Sequence, residues 1–108
     1  MSWEGLTRMT KIEVVLDGEH APAVRDLFLQ SGATGYTAVD GVSGFGHRGY
    51  HQGRLLFNDR ASLSLLITVV PEDRVGGIVE GILRIIEGVH GVLFVTEVHV
   101  SRPEYFLT

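Results

Sequence analysis

The residues with the richest chemistry lie between Gly41 and Arg60, a twenty-residue stretch with five glycines. Gly44-Phe45-Gly46 brackets an aromatic with two residues that let a backbone approach a ligand closely. His47-Arg48-Gly49-Tyr50-His51 follows, then Arg54 and Arg60. Backbone N–H groups together with arginine forks suit an anion such as phosphate or carboxylate. No lysine-serine/threonine pair follows and no helix starts there, so the stretch is neither a P-loop nor a dinucleotide fingerprint. His47 and His51 have the spacing of a helical metal pair, but Gly49 lies between them in a loop and no carboxylate follows until Asp59. They read as solvated loop histidines, and no metal site is expected. His90, at a turn, and His99, on a strand, read as surface or interface residues.

The elements that must position this stretch follow from apolar spacing. Lys11–Leu16 alternates as a strand with Ile12, Val14 and Leu16 on one face. His20–Ser31 has Val24, Leu27, Phe28 and Ser31 at helical spacing, with Pro22 near its first turn and Gly32 as its stop. Gly35–Asp40 is a short second strand. Ala61–Val70 is a third, with Leu63, Leu65, Ile67 and Val69 expected on the core face. Pro71-Glu72-Asp73 opens a second helix with acids at its positive end, and Val75, Ile78, Val79, Ile82 and Ile86 form its stripe up to Gly88. Gly91–Val100 alternates as the last strand, with Val92, Phe94, Thr96, Val98 and Val100 on one side.

The order βαββαβ predicts an α+β, ferredoxin-like fold: a four-stranded antiparallel sheet, two helices on one face, and a long loop between strands 2 and 3. Val15, Val39, Leu66, Val70, Leu93 and Val95 are expected on the opposite face. That is more apolar surface than a solvated face should carry, and it points to a homo-oligomer. Hairpin loops usually run about two to five residues, so a connection of this length is either functional or a disordered insertion, and its glycines and basic residues favour the first.

At 108 residues, with 44% hydrophobic and 20% charged residues, the chain suits one domain, 1–108, with residues 1–8 a flexible tail and 41–60 a ligand-responsive loop. It has no cysteine, which excludes disulfides, thiolate metal sites and cysteine nucleophiles. A formal charge of −4 argues against nucleic acid as a partner. The apolar runs are only strand-length and the start carries no apolar signal core, so a cytoplasmic location is expected.

A βαββαβ chain whose loop opens on Gly44-Phe45-Gly46 before a basic, Gly/His-containing stretch resembles the PII signalling family. Val69-Val70-Pro71-Glu72-Asp73 is similar to that family's third strand running into its second helix. The resemblance spans roughly Met9–Arg102 and implies a homotrimer with nucleotide sites between subunits. It also implies nucleotide contacts at Thr37, Gly44, Phe45, Gly46, His47, Arg48 and Val69, with a second Gly-rich segment at Gly88–Gly91.

Two departures bear on the ligand. Val92 stands where PII proteins carry a phosphate-binding lysine, and Arg102 is the one nearby candidate for the C-terminal arginine pair. Fewer cations compensate less phosphate charge, so ADP or AMP is expected in preference to ATP. Tyr50 does not stand in the PII pattern around a modifiable tyrosine. The trimmed phosphate site resembles PII-like proteins linked to inorganic carbon, including bicarbonate-transporter- and carboxysome-associated members. On that resemblance bicarbonate is a candidate ligand, with His47, Arg48 or Arg54 as donors, and the protein partner would belong to inorganic-carbon metabolism.

Two other readings compete with this one. Acylphosphatases share the fold but place an arginine and an asparagine around the first helix; here Arg25 is mid-helix and the only asparagine is Asn58, in the loop. Ser31, Ser43 and Ser64 stand in no catalytic motif, so no enzyme activity is expected and no prosthetic group is called for. A trimeric interaction module of the divalent-cation-tolerance type has the same element order but does not require the long Gly/Arg loop.

Overall fold

Strand-period alternation in the first segment produces β1, Thr7–Asp17, whose Ile12, Val14 and Leu16 are fully buried. A computed structural model describes residues 3–43, 45–46, 49–50 and 62–107, with 45–46 and 49–50 as backbone. The expected tail is shorter than eight residues, because Thr7 and Arg8 already pair with Val100 and His99.

A 3-10 turn, Gly18–His20, leads into helix α1, Ala21–Gln30. Gly32, at φ +96°, ends it. There the Ala33 N–H reaches the Phe28 carbonyl and the Gly32 N–H the Leu29 carbonyl, the paired bonds of a Schellman stop. Strand β2 is Thr37–Val42. Its pairing slips between Asp40 and Val42, where Gly41 takes φ +76°. That irregularity bends the edge strand at the root of the long loop. The loop begins with a two-residue ladder, β3 (Phe45–Gly46) against β4 (Gly49–Tyr50).

Strand β5 is Leu63–Val70, followed by a 3-10 turn at Glu72–Arg74 and helix α2, Val75–Ile86. Strand β6, Gly91–Val100, completes an antiparallel sheet ordered β2-β5-β1-β6. Both helices lie on one face. Val24 and Phe28 of α1 and Ile78 and Ile82 of α2 close a core with Ile12, Val14, Leu16, Leu66 and Val70. At Gly81 an added Cβ would sit 2.7 Å from Leu27, so a glycine lets the helices meet.

The register corrects the expected faces of two strands. Directly paired residues point to the same side of a sheet. Val14 pairs with Leu66 and with Leu93, which brings both to the helix side; Val95 follows through Ile12 and Val70 through Thr10. Leu63, Leu65, Ile67 and Val69 therefore occupy the helix-free face, joined by Val92, Phe94, Thr96, Val98 and Val100. Both faces of β5 and β6 are rich in apolar residues, so alternation gives their period but not their direction. Val15 and Val39 lie on the open face as expected.

Candidate functional site

The described candidates fall at two ends of the sheet. Thr37 opens β2 and pairs with Ile67, while Val69 lies two residues further along β5 on the same face. Together they line a cleft of about 340 Å³, within the range of small-molecule pockets. Its walls come from three segments: Thr34, Gly35 and Tyr36 before β2, Ile67 and Thr68 of β5, and Tyr105 and Phe106 near the C-terminus. None of these lining residues carries a charge. Aromatic rings with a few hydroxyls suit a flat, uncharged heteroaromatic group better than a phosphate.

The cleft walls are held by side-chain donors. The Thr68 hydroxyl donates to the Gly35 carbonyl at 2.7 Å, and the Thr34 hydroxyl donates to the Tyr105 carbonyl at 2.6 Å. The second bond anchors the C-terminal 3-10 turn, Pro103–Phe106, beside the start of β2. Arg102 precedes that turn at φ 54°, the one non-glycine residue with positive φ among those described. Its guanidinium carbon lies 5.8 Å from the centroid of the cleft-lining Tyr105 ring.

The Gly88–Gly91 turn stands at the opposite end. Gly91 is level with Leu16, Ser64 and Asp40, where β2 feeds the loop. Three strand spacings separate the β2 and β6 edges, about 14 Å. Thr37 lies three rows further along, about 10 Å. A single chain therefore does not bring the Gly88–Gly91 turn to the Thr37 cleft. Gly88 takes φ +83° just after α2, with open space around it. Gly91 has a packing reason to be glycine: an added Cβ would meet Ile86 at 2.9 Å and Leu16 at 3.2 Å. Phe45 and Gly46 are placed in the two-residue ladder, while Gly44, His47, Arg48 and Arg54 lie outside the described residues. Val92 is half exposed on the open face.

Sequence reasoning missed Thr34, Tyr36, Tyr105 and Phe106. The Pro103-led turn after the last strand was a local signal of a change in direction, but nothing in it indicated a destination beside β2. Among the described residues no three His, Asp or Glu side chains cluster as a metal site, and no helix is long and apolar enough to cross a membrane.

The sequence profile "Nitrogen regulatory protein P-II" matches residues 9–105. The chain belongs to the PII family. Solved structures agree with this placement. CPII, a nitrogen regulatory PII-like protein from Thiomonas intermedia K12 bound to ADP, AMP and bicarbonate, is 38% identical, with 95% of this chain and 97% of that one covered at a TM-score of 0.84. CPII bound to ADP and bicarbonate, from the same organism, gives 37% identity, 94% and 96% coverage and a TM-score of 0.80. A Thermus thermophilus protein described as PII-like shares the fold at 20% identity, with 94% and 97% coverage and a TM-score of 0.75. No curated protein sequence matches.

Proposed function

We propose that this PII-family chain is a regulatory sensor of adenine nucleotides, working as a homotrimer with its ligand held between subunits. The observation that carries this reading is the Thr37–Val69 cleft, uncharged and aromatic-walled, in a chain 38% identical to a protein solved with ADP, AMP and bicarbonate. The cleft suits the base. The phosphates then need cations from elsewhere, and the Gly88–Gly91 turn lies too far away in the same chain. A neighbouring copy, docked through the open apolar face, would supply them. In this reading Thr37, Val69 and Arg102 come from one subunit, and Gly44, Phe45, Gly46, His47, Arg48, Gly88 and Gly91 from the next.

With Val92 in place of a lysine and Arg102 alone on its segment, ADP or AMP binds in preference to ATP. His47, Arg48 and Arg54 are the candidate donors for bicarbonate. The nucleotide favours one arrangement of the 41–60 segment and so changes the surface offered to a partner, by as much as its affinities for the two states differ. The chain would act by this change of shape, without catalysis, in the cytoplasm. Its partner is proposed to be a protein of inorganic-carbon metabolism, a bicarbonate transporter or carboxysome component.

Calorimetric titration with AMP, ADP and ATP, each with and without bicarbonate, and a native mass measurement test this reading. A trimer binding ADP and AMP supports it. ATP bound tenfold more tightly than ADP would overturn the stated preference. A chain binding none of the three would favour an interaction module. Gly46→Asp and Arg48→Ala should weaken binding; unchanged affinity would remove the loop base from the site.

A further inference from the structure

The donor that ties the cleft together lies outside it. Arg74, in the 3-10 turn after β5, donates through Nη1 to the Gly32 carbonyl at 2.6 Å and through Nη2 to the Leu107 carbonyl at 3.4 Å. Gly32 belongs to the stop of α1 that leads into the Thr34–Tyr36 wall, and Leu107 follows directly on the Tyr105–Phe106 wall. One side chain thus holds the chain segments behind both walls. Its stem lies against Gly32, where an added Cβ would come within 3.2 Å of the Arg74 Cδ. The positive φ of Gly32 calls for glycine there. The Thr34–Tyr105 bond is a second tie between the same two segments. A planar guanidinium can reach two separated carbonyls at once, which a lysine ammonium does less well.

We propose that Arg74 is a positioning residue for nucleotide binding, setting the distance between the two aromatic-bearing walls without touching the ligand. The inference rests on reading the Thr37–Val69 cleft as the base-binding part of the site. Since the walls meet the base and not the phosphates, loosening them affects AMP and ADP alike.

The test titrates AMP and ADP into the full-length wild type and the Arg74→Ala, Arg74→Lys and Thr34→Val variants, with circular dichroism and native mass recorded for each. Arg74→Ala is expected to weaken both nucleotides roughly three- to tenfold by a common factor, leaving their ratio unchanged. Arg74→Lys should recover part of the loss, and Thr34→Val should weaken both nucleotides in the same way. Arg74→Lys keeps the test decisive if Arg74→Ala does not fold, since it should still bind both nucleotides more weakly than the wild type by a common factor. Unchanged affinities in the folded variants would overturn this proposal alone. A changed AMP-to-ADP ratio in Arg74→Ala would also overturn it, by placing Arg74 at the phosphates. A wild type that binds neither nucleotide would overturn the nucleotide reading itself.

Discussion

On the helix side of the sheet Ile12, Val14, Leu16, Leu66 and Val70 are completely buried, while on the other side Val39, Val92 and Phe94 keep 44%, 50% and 51% of their surface exposed. The two faces are built from similar residues. The first is covered by Val24 and Phe28 of α1 and Ile78 and Ile82 of α2. Nothing in the chain's described residues covers the second to the same degree, and among its few charges are Lys11 and Glu13, paired at 3.7 Å. The covered face accounts for the fold of one chain, and the open face is the surface on which the proposed assembly depends. The difference teaches that apolar alternation reports burial somewhere, not burial within one chain.

Substitutions can separate the two faces. The largest loss of stability is expected on the covered side: Phe28→Ala should cost about 3–5 kcal/mol in denaturant unfolding, since its ring is fully buried between helix and sheet. A loss under about 1 kcal/mol would mean that this face is not the core. On the open side Phe94→Asp should instead act on assembly, lowering the native mass from three chains to one while leaving the circular dichroism spectrum intact. A mass that stays at three chains would remove this face from the interface.

Smaller effects sharpen the boundary between packing and binding. Gly91→Val should destabilise the chain by about 1–3 kcal/mol through its collision with Ile86 and Leu16. Unchanged unfolding would remove the packing account of Gly91, whatever its part in nucleotide binding. Ser64→Ala removes the buried hydroxyl that donates to Asp40 Oδ1 at 2.8 Å and should cost about 1 kcal/mol, because Asp40 stays open to water. Least of all, Arg84→Ala breaks an exposed i,i+4 pair with Glu80 and should move stability by no more than about 0.5 kcal/mol.

The element order could be read from local patterns. Ile12, Val14 and Leu16 alternate, Val24, Leu27 and Phe28 recur at helical spacing, and Gly32 and Gly88 mark the ends of both helices at positive φ. Thr37 and Val69 were legible through the family resemblance, and both line the cleft. Tyr105 and Phe106 were not legible. The bond that brings their turn to the cleft joins Thr34 to a residue 71 positions away, and no local pattern encodes so distant a partner.

Short-range physical chemistry, acting within a few residues, was enough to place the strands, the helices and the anomalous length of the 41–60 segment. The direction of each face of β5 and β6 came only from tertiary pairing: a one-residue choice of register against Val14 and Val15 sends Leu66 and Leu93 to the core and Leu65 and Val92 outward. The cleft likewise exists only once three distant segments meet at Arg74 and Thr34. A side chain carries its hydrophobicity in the sequence, but the neighbours that make use of it are chosen by the fold.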